Sequence, residues 1–167
     1  GTQDVELPER PPARPIAVEA YAYHAEYLEE RRGLYGESTL ERIMAGAEVA
    51  ASDYAEVLYQ LELGRKGVAA VFEDVDLLVT PTLTELPITI AEAQESPVEA
   101  TIRLIRNTAP FNFYGTPAIS VPCGFSRAGL PIGLQITGPL LGEVDVLALA
   151  HAYEQATEWH RRTPPLL

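Results

Sequence analysis

Side chains that could carry out nucleophilic or acid–base chemistry are few and scattered in this chain of 167 residues. It has one lysine, Lys66, one cysteine, Cys123, and three widely separated histidines. A serine becomes a nucleophile when a neighbouring base takes its proton, yet no serine here lies in a Gly/Ser-rich loop. Ser120 alternates with apolar neighbours on a predicted strand and has no base beside it in the sequence. The residues therefore predict no complete catalytic site. The serines are Ser38, Ser52, Ser96, Ser120 and Ser126.

Residues suited to ligand binding stand where a predicted strand ends. The apolar run within Asp74–Thr82 is closed by Pro81, which predicts a strand buried on both faces. Because α/β enzymes commonly build their sites at strand ends, Pro81 and Thr82 are candidate substrate-binding residues; an ordinary strand terminus is the alternative. Asn112 is a third candidate, whose amide could bind substrate or satisfy backbone groups in a Gly-rich turn. Gln135, on another predicted strand, is more typical of a buried structural amide.

Helical spacing of apolar residues and local start signals predict five helices. One start rests on Ser38 and Glu41, which match a capping box. The predicted helices are Ile16–Arg32, Ser38 to about Ala47, a long helix from Ser52 to about Phe72, Val98–Asn107 and Glu143–Thr157.

Strands are predicted by short apolar runs between prolines and glycines. Pro117–Pro122 and Leu130–Thr137 should form a hairpin, and Val5–Pro8 should be the end of a strand whose beginning is missing. Pro8–Pro15 is expected to be extended and Leu83–Pro97 to be mostly loop. Strands mixed with long helices indicate the α/β class. Three or four short strands are too few for a full central sheet, so a partner sheet should be missing.

The composition narrows the classes of partner. The net charge is −12, from 24 acidic and 12 basic residues, and such a surface repels nucleic acid and anionic membranes. A single cysteine fits a reducing compartment, so cytoplasmic location is expected. The scattered histidines offer no zinc-ligand spacing, and we expect neither a metal nor another cofactor. No apolar run is long enough to span a bilayer.

Two motifs with a fixed separation resemble the amidase-signature family. Residues Asn112–Gly124 read N-x-x-G-x-P-A-x-S-x-P-C-G, and Gly129–Gln135 read G-L-P-x-G-L-Q. Upstream, Asp76–Thr82 and Leu40–Gly46 are also similar to the family. The resemblance covers nearly the whole chain and is weak before Gly36. Within the family, the chain looks most similar to the A subunits of glutamyl-tRNA(Gln) amidotransferase and related amidases.

That resemblance implies a mixed sheet flanked by helices and hydrolysis of a carboxylic amide. Family members use a serine nucleophile, a second serine on a cis peptide and a lysine base, all upstream of the part matched here. Residues 1–167 are thus expected to be a C-terminal portion that begins mid-domain, lacks the catalytic N-terminal half and is inactive alone. Its expected partners are that missing half, a small amide substrate in the complete enzyme only, and further copies of itself, because bare strand edges invite pairing.

The resemblance adds one more candidate site residue, Arg42. It aligns with an arginine that binds the α-carboxylate of the substrate in the amidotransferase subunits, and a guanidinium suits a carboxylate; a surface arginine beside Glu41 is the alternative. The acidic residue that those subunits carry before N-x-x-G is absent from Leu104–Asn107, which favours a hydrolase of another amide. A non-catalytic binding or dimerisation module, and one chain of a split amidotransferase, remain alternatives.

Overall fold

The computed structural model describes residues 1–8 and 15–163, which divide into two compact units. One unit comprises Pro8–Gly64, and the other comprises Gly1–Leu7 together with the chain from Arg65 onward. The α-helices are α1 (Pro15–Arg31), α2 (Glu37–Met44), α3 (Ala51–Val71), α4 (Ile90–Glu95), α5 (Pro97–Leu104), α6 (Ala109–Tyr114) and α7 (Glu143–Ala156). The strands are β1 (Leu78–Pro81), β2 (Ala118–Phe125) and β3 (Pro131–Thr137).

The unit Pro8–Gly64 is helical in its described part. Its buried apolar side chains include Leu28 of α1 and Ile43 of α2. Gly46, in the short 3-10 turn after α2, allows close packing on α1, because a Cβ there would lie 2.0 Å from the Ala17 carbonyl oxygen. Small residues thus set how closely these segments pack.

The start of α2 differs from the prediction. The helix begins at Glu37 with Gly36 as its N-cap, and no side chain caps it. The capping box predicted at Ser38 is therefore wrong, because Ser38 already lies inside the first turn. The other helix predictions in this unit are confirmed to within a few residues at Pro15–Arg31 and Ala51–Val71. The predicted extended connector Pro8–Pro15 falls mostly outside the described residues.

The second unit holds an antiparallel three-stranded sheet in the order β1-β3-β2. The predicted hairpin of β2 and β3 is confirmed, and its turn contains Gly129 at φ 80°, a backbone conformation that favours glycine. Gln135 of β3 is paired with Thr80 of β1 on one side and with Ser120 of β2 on the other. The chain thereby places three polar residues side by side on one face.

The two faces of the sheet pack against different helices. One face and α7 share a core of Val121, Ile136, Val146 and Ala150. On the other face Leu78 packs with Val68 of α3 and with side chains of α6. Helices on both faces of a sheet, with strands and helices mixed along the chain, confirm the predicted α/β class.

Two strand predictions are wrong. Residues Val5–Pro8 form no strand; Val5 instead packs on the core around Leu78. The strand at the Asp74–Thr82 segment is β1, but it is not buried on both faces, since Leu78 is 7% exposed and Val79 is 52% exposed. The apolar run predicted double-sided burial, whereas the described residues cover only one side of this strand.

Two further segments differ from their predictions. The predicted loop Leu83–Pro97 contains α4, which begins with a capping box formed by Thr89 and Glu92. Asn112 was expected in a Gly-rich turn but lies on α6, which ends at Gly115 in the left-handed conformation (φ 74°). Among the described residues, no helix has the length and apolar character needed to cross a membrane.

Candidate functional site

A row of uncharged polar side chains crosses one face of the sheet at the end of β1. Thr80, Gln135 and Ser120 stand opposite one another in the register, and Thr82 follows Thr80 by two residues. Because alternate residues of a strand point to the same face, all four side chains belong to one surface. We call Thr80, Thr82, Ser120 and Gln135 the polar row.

The buried member of the polar row is Gln135, which is 4% exposed. Its Nε2 donates to the hydroxyl of Thr80 at 3.1 Å and to the backbone carbonyl of Asn107 at 3.0 Å. Both amide hydrogens therefore have acceptors, as a buried amide requires. The prediction that Gln135 is a buried structural amide is confirmed.

Asn107 connects the turn between α5 and α6 to the end of β1. Its side-chain Nδ2 donates to the carbonyl oxygen of Pro81 at 2.7 Å. Its own carbonyl accepts from Gln135, so this one residue contacts both β1 and β3. The turn is thus hydrogen-bonded to two strands of the sheet.

The more exposed members of the polar row meet across the central strand. The hydroxyl oxygens of Thr82 and Ser120 lie 2.6 Å apart. The backbone N–H of Thr82 donates to the Gly133 carbonyl at 2.9 Å, which extends the β1–β3 pairing beyond the strand end. A Cβ at Gly133 would stand 2.6 Å from the Thr82 hydroxyl and 2.7 Å from that of Ser120, so glycine is needed for this approach.

An ion pair joins α5 to the loop after β1. Arg103 donates from Nε and Nη2 to the two carboxylate oxygens of Glu85, at 2.9 and 2.5 Å. Hydrogen bonding to Glu85 and its charge raise the pKa of Arg103. At the start of α4, hydrogen bonds from the Thr89 backbone and hydroxyl lower the pKa of Glu92. These contacts organise residues 83–107 beside the strand end.

The predicted site residues fall in different places. Pro81 and Thr82 are adjacent at the end of β1; Thr82 belongs to the polar row, and the backbone carbonyl of Pro81 accepts from Asn107. Asn112 is exposed on α6, and Arg42 is exposed on α2 in the other unit. Asn107 was not predicted; an asparagine near the end of a predicted helix is a common turn signal and says nothing about its partner.

The chemistry available at the polar row is hydrogen bonding. Hydroxyl and carboxamide groups donate and accept hydrogen bonds but do not ionise near neutral pH. Lys66 is exposed on α3, and Ser120 is hydrogen-bonded to Thr82 and not to a base. Within residues 1–8 and 15–163, no cluster of three or more His, Cys, Asp or Glu side chains could hold a metal ion. This surface can orient a ligand, and its described residues include no nucleophile paired with a base.

The family follows from a comparison with known sequences. The model of the amidase family matches residues 15–147, which include β1, β2, β3 and the whole polar row. The chain belongs to the amidase family. The N-x-x-G-x-P-A-x-S-x-P-C-G and G-L-P-x-G-L-Q motifs that indicated it occupy α6, β2 and β3.

Curated relatives include amidotransferase subunits. The chain is 39% identical over 145 residues to the A subunit of glutamyl-tRNA(Gln) amidotransferase from Thermodesulfovibrio yellowstonii, and the match covers 84% of this chain and 30% of that protein. It is 35% identical over 156 residues to the corresponding A subunit of Gloeothece citriformis, over 90% of this chain and 32% of that one. The chain thus spans about a third of the length of these relatives.

Solved structures of hydrolases share the fold. A 6-aminohexanoate cyclic dimer hydrolase aligns with a TM-score of 0.73 and 27% identity, over 89% of this chain and 34% of that one. Allophanate hydrolase of Kluyveromyces lactis aligns with a TM-score of 0.76 and 23% identity, over 87% of this chain and 24% of that one. The chain is again similar to a part of each neighbour.

Proposed function

We propose that this chain is the C-terminal portion of an amidase-family enzyme and supplies a wall of its substrate pocket and part of its sheet. The carrying observation is the unequal coverage, 84–90% of this chain against 30–32% of the curated relatives. The serine pair and lysine of the resemblance would come from the preceding part of the domain. The complete enzyme would hydrolyse a C–N bond of a carboxylic amide.

The outer edge of β1 supports a contribution to a larger sheet. Among the described residues β1 pairs only with β3. A cleft of about 920 Å³ is lined by Leu78–Thr80 of β1, by residues 1–5 and by Phe111. Unpaired N–H and C=O groups at a strand edge can pair with a further strand. A strand from the rest of the domain would fit this position.

The pocket wall would be formed by Pro81 and Thr82, whereas Asn112 on α6 and Arg42 on α2 are separate candidate substrate contacts. Pro81 and Thr82 stand at a strand end, and the Thr82 hydroxyl can donate to or accept from a substrate. Asn112 exposes its amide on α6. Arg42 would bind a carboxylate, for which its guanidinium is well shaped. Since no acid lies in Leu104–Asn107, the substrate would be an amide other than glutamine.

The test compares the 167-residue chain with a longer form of the protein. The upstream coding sequence is read for an in-frame Gly/Ser-rich serine motif with a lysine, and both forms are assayed for ammonia or amine release from a panel of amides. We expect turnover by the longer form only, abolished by Ala at its motif serine.

Each other outcome selects a different function. The motif on a separate neighbouring gene, with activity only after mixing the two chains, would mean a split enzyme. Absence of the motif from both places would refute the proposal in favour of a non-catalytic binding or dimerisation module.

A further inference from the structure

We propose that Gln135 is a positioning residue for the candidate pocket wall. Through its two amide hydrogens it fixes the α5–α6 turn over the end of β1, and so sets where Pro81 and Thr82 stand, without touching substrate. This inference rests on the proposed function, because only there do Pro81 and Thr82 belong to a substrate pocket. The hydrogen bonds of Gln135 can be tested on the chain itself.

The side-chain amide of Gln135 donates hydrogen bonds to acceptors on two different segments of the chain. Nε2 of Gln135 contacts the Thr80 hydroxyl on β1 and the Asn107 carbonyl in the turn, at 3.1 and 3.0 Å. The Asn107 side chain then donates to the carbonyl of Pro81, the residue that follows Thr80 on β1. The contacts close a ring of hydrogen bonds that passes through β3, the turn and the strand end.

Burial makes this ring sensitive to the chemistry of residue 135. Gln135 is 4% exposed, so water cannot replace a lost partner at full strength. The Gln135→Glu substitution keeps the shape, but an ionised carboxylate has no hydrogen to donate, and the Asn107 carbonyl cannot donate in return. The ionised side chain of that variant would therefore face a carbonyl oxygen, whereas its protonated form can still donate one hydrogen bond.

The ring of hydrogen bonds would hold Pro81 and Thr82 of the pocket wall in position before a substrate binds. A side chain that must meet a substrate is effective only when its own position is held by packing and hydrogen bonds behind it. Thr82 has such support through its backbone bond to Gly133, and Pro81 has it through Asn107. Gln135 contacts Thr80, which precedes Pro81, and the backbone of Asn107, so it joins the strand end to the turn.

The first experiment uses Gln135→Glu and follows thermal unfolding from about pH 4 to pH 8. Burial raises the pKa of a carboxyl group above its unfolded value of about 4.3. The folded state then binds more protons than the unfolded state, so stability is retained below about pH 4 and lost as pH rises through the raised pKa. Gln155→Glu, at an exposed position of α7, is the control and should show no such pH dependence.

The second experiment separates positioning from general stability. Gln135→Met removes both hydrogen bonds that Nε2 donates, to the Thr80 hydroxyl and to the Asn107 carbonyl, and keeps an unbranched side chain of similar length. By NMR hydrogen exchange we expect the Thr82 amide to exchange roughly tenfold faster, equivalent to about 1.4 kcal/mol. The Ile136 amide, in the middle of β3, should change little.

The outcomes decide the inference without reference to catalysis. A pH-independent Gln135→Glu variant, or equal acceleration of exchange at Thr82 and Ile136 in Gln135→Met, would overturn it. If the ring is confirmed but the longer protein hydrolyses no amide, the proposed function fails and the positioning role stands. If amide turnover is found while the ring is refuted, only the inference fails.

Discussion

The hydroxyl oxygens of Thr82 and Ser120 lie 2.6 Å apart across β3, directly over Gly133. Thr82 follows one edge strand and Ser120 lies on the other, so neither is a neighbour of the other in the pairing pattern. Their contact exists because the central strand carries no side chain at that point. This contact explains why the second glycine of the G-L-P-x-G-L-Q motif is a glycine, which the sequence alone does not show.

Gly133→Ala should break this contact and destabilise the unit. The new Cβ would lie 2.6 and 2.7 Å from the two hydroxyls and 3.1 Å from the Thr82 Cβ, so the two hydroxyls must turn away and the Thr82 side chain must move. Overpacking of this kind costs about 1–3 kcal/mol. Urea unfolding followed by circular dichroism measures the change.

Gly33→Ala is the matched control, because nothing lies within 4 Å of a Cβ there. Adding Ser120→Ala to Gly133→Ala removes one of the two clashes and should recover part of the loss, which a double-mutant cycle quantifies. Equal effects of the alanines at residues 33 and 133 would contradict this account.

The sequence holds four Ser/Thr-x-x-Glu capping-box patterns, which begin at Ser38, Thr82, Thr89 and Ser96, and the structure forms the box at Thr89, which was not predicted. Ser38 and Glu41 have the required types and spacing, but α2 starts at Glu37 and places Ser38 in its first turn. Thr89 and Glu92 have the same spacing and form both bonds of the box. A four-residue pattern cannot fix where a helix begins, because tertiary packing of the adjoining segments can move the start by one or two residues.

Thr89→Ala should destabilise the protein, whereas Ser38→Ala should not. The Thr89 hydroxyl accepts from the Glu92 N–H at 3.2 Å, and loss of such a cap costs about 0.5–2 kcal/mol. Ser38 makes no capping bond, so its replacement changes little. Chemical denaturation of both variants measures the difference, and a larger loss for Ser38→Ala would reverse the assignment.

Glu92 should make stability depend on pH in the acid range. Hydrogen bonds from the Thr89 backbone and hydroxyl hold its pKa below the ordinary 4.5. The unfolded state then binds more protons than the folded state, so the contribution is present above about 4.5 and is lost as pH falls through the folded pKa.

Glu92→Gln lacks the titrating group and is the comparison. The melting temperatures of wild type and Glu92→Gln should differ at about pH 7 and converge towards about pH 3, because the group must lose its charge. A constant difference across that range would show that the Glu92 charge does not contribute.

The site was predictable only where it coincides with a strand end. Pro81 and Thr82 follow from the apolar run that Pro81 closes, and the hairpin follows from its motifs. Asn107 is hydrogen-bonded to Pro81, which lies 26 positions before it, and to Gln135, which lies 28 positions after it. No local sequence pattern encodes contacts over such separations. The half-exposed Val79 was missed because an apolar run does not show which side of a strand is covered, and the described residues cover one side of β1.

The 167-residue chain alone should show no amidase activity. Its polar row carries hydroxyl and amide groups without a base, and Lys66 is exposed on α3. The purified chain is assayed with simple amides and esters at high protein concentration. Turnover that survives Lys66→Ala and the alanine replacement of all five serines would show that a different chemistry is present.

The isolated chain should self-associate through α5. Val98, Ile102 and Ile105 follow helical spacing and are 60%, 61% and 43% exposed, so they form an apolar stripe on the outside of the helix. The exposed charges that follow Val98 and Ile105, Glu99 and Arg106, have opposite signs, whereas the exposed Val144 of α7 lies between Glu143 and Asp145; repulsion between two chains of net charge −12 is therefore weaker at α5.

Sedimentation at micromolar concentration should therefore show a species larger than the 18.2 kDa monomer. Ile102→Lys places a charge in the stripe and should shift the protein to monomer, because burying an unpaired ammonium is costly. Leu147→Lys makes the same change on the exposed side of α7 and should leave association intact. Dissociation by Leu147→Lys alone would move the interface to α7. A monomeric wild-type chain at every concentration would mean that the stripe of α5 drives no self-association.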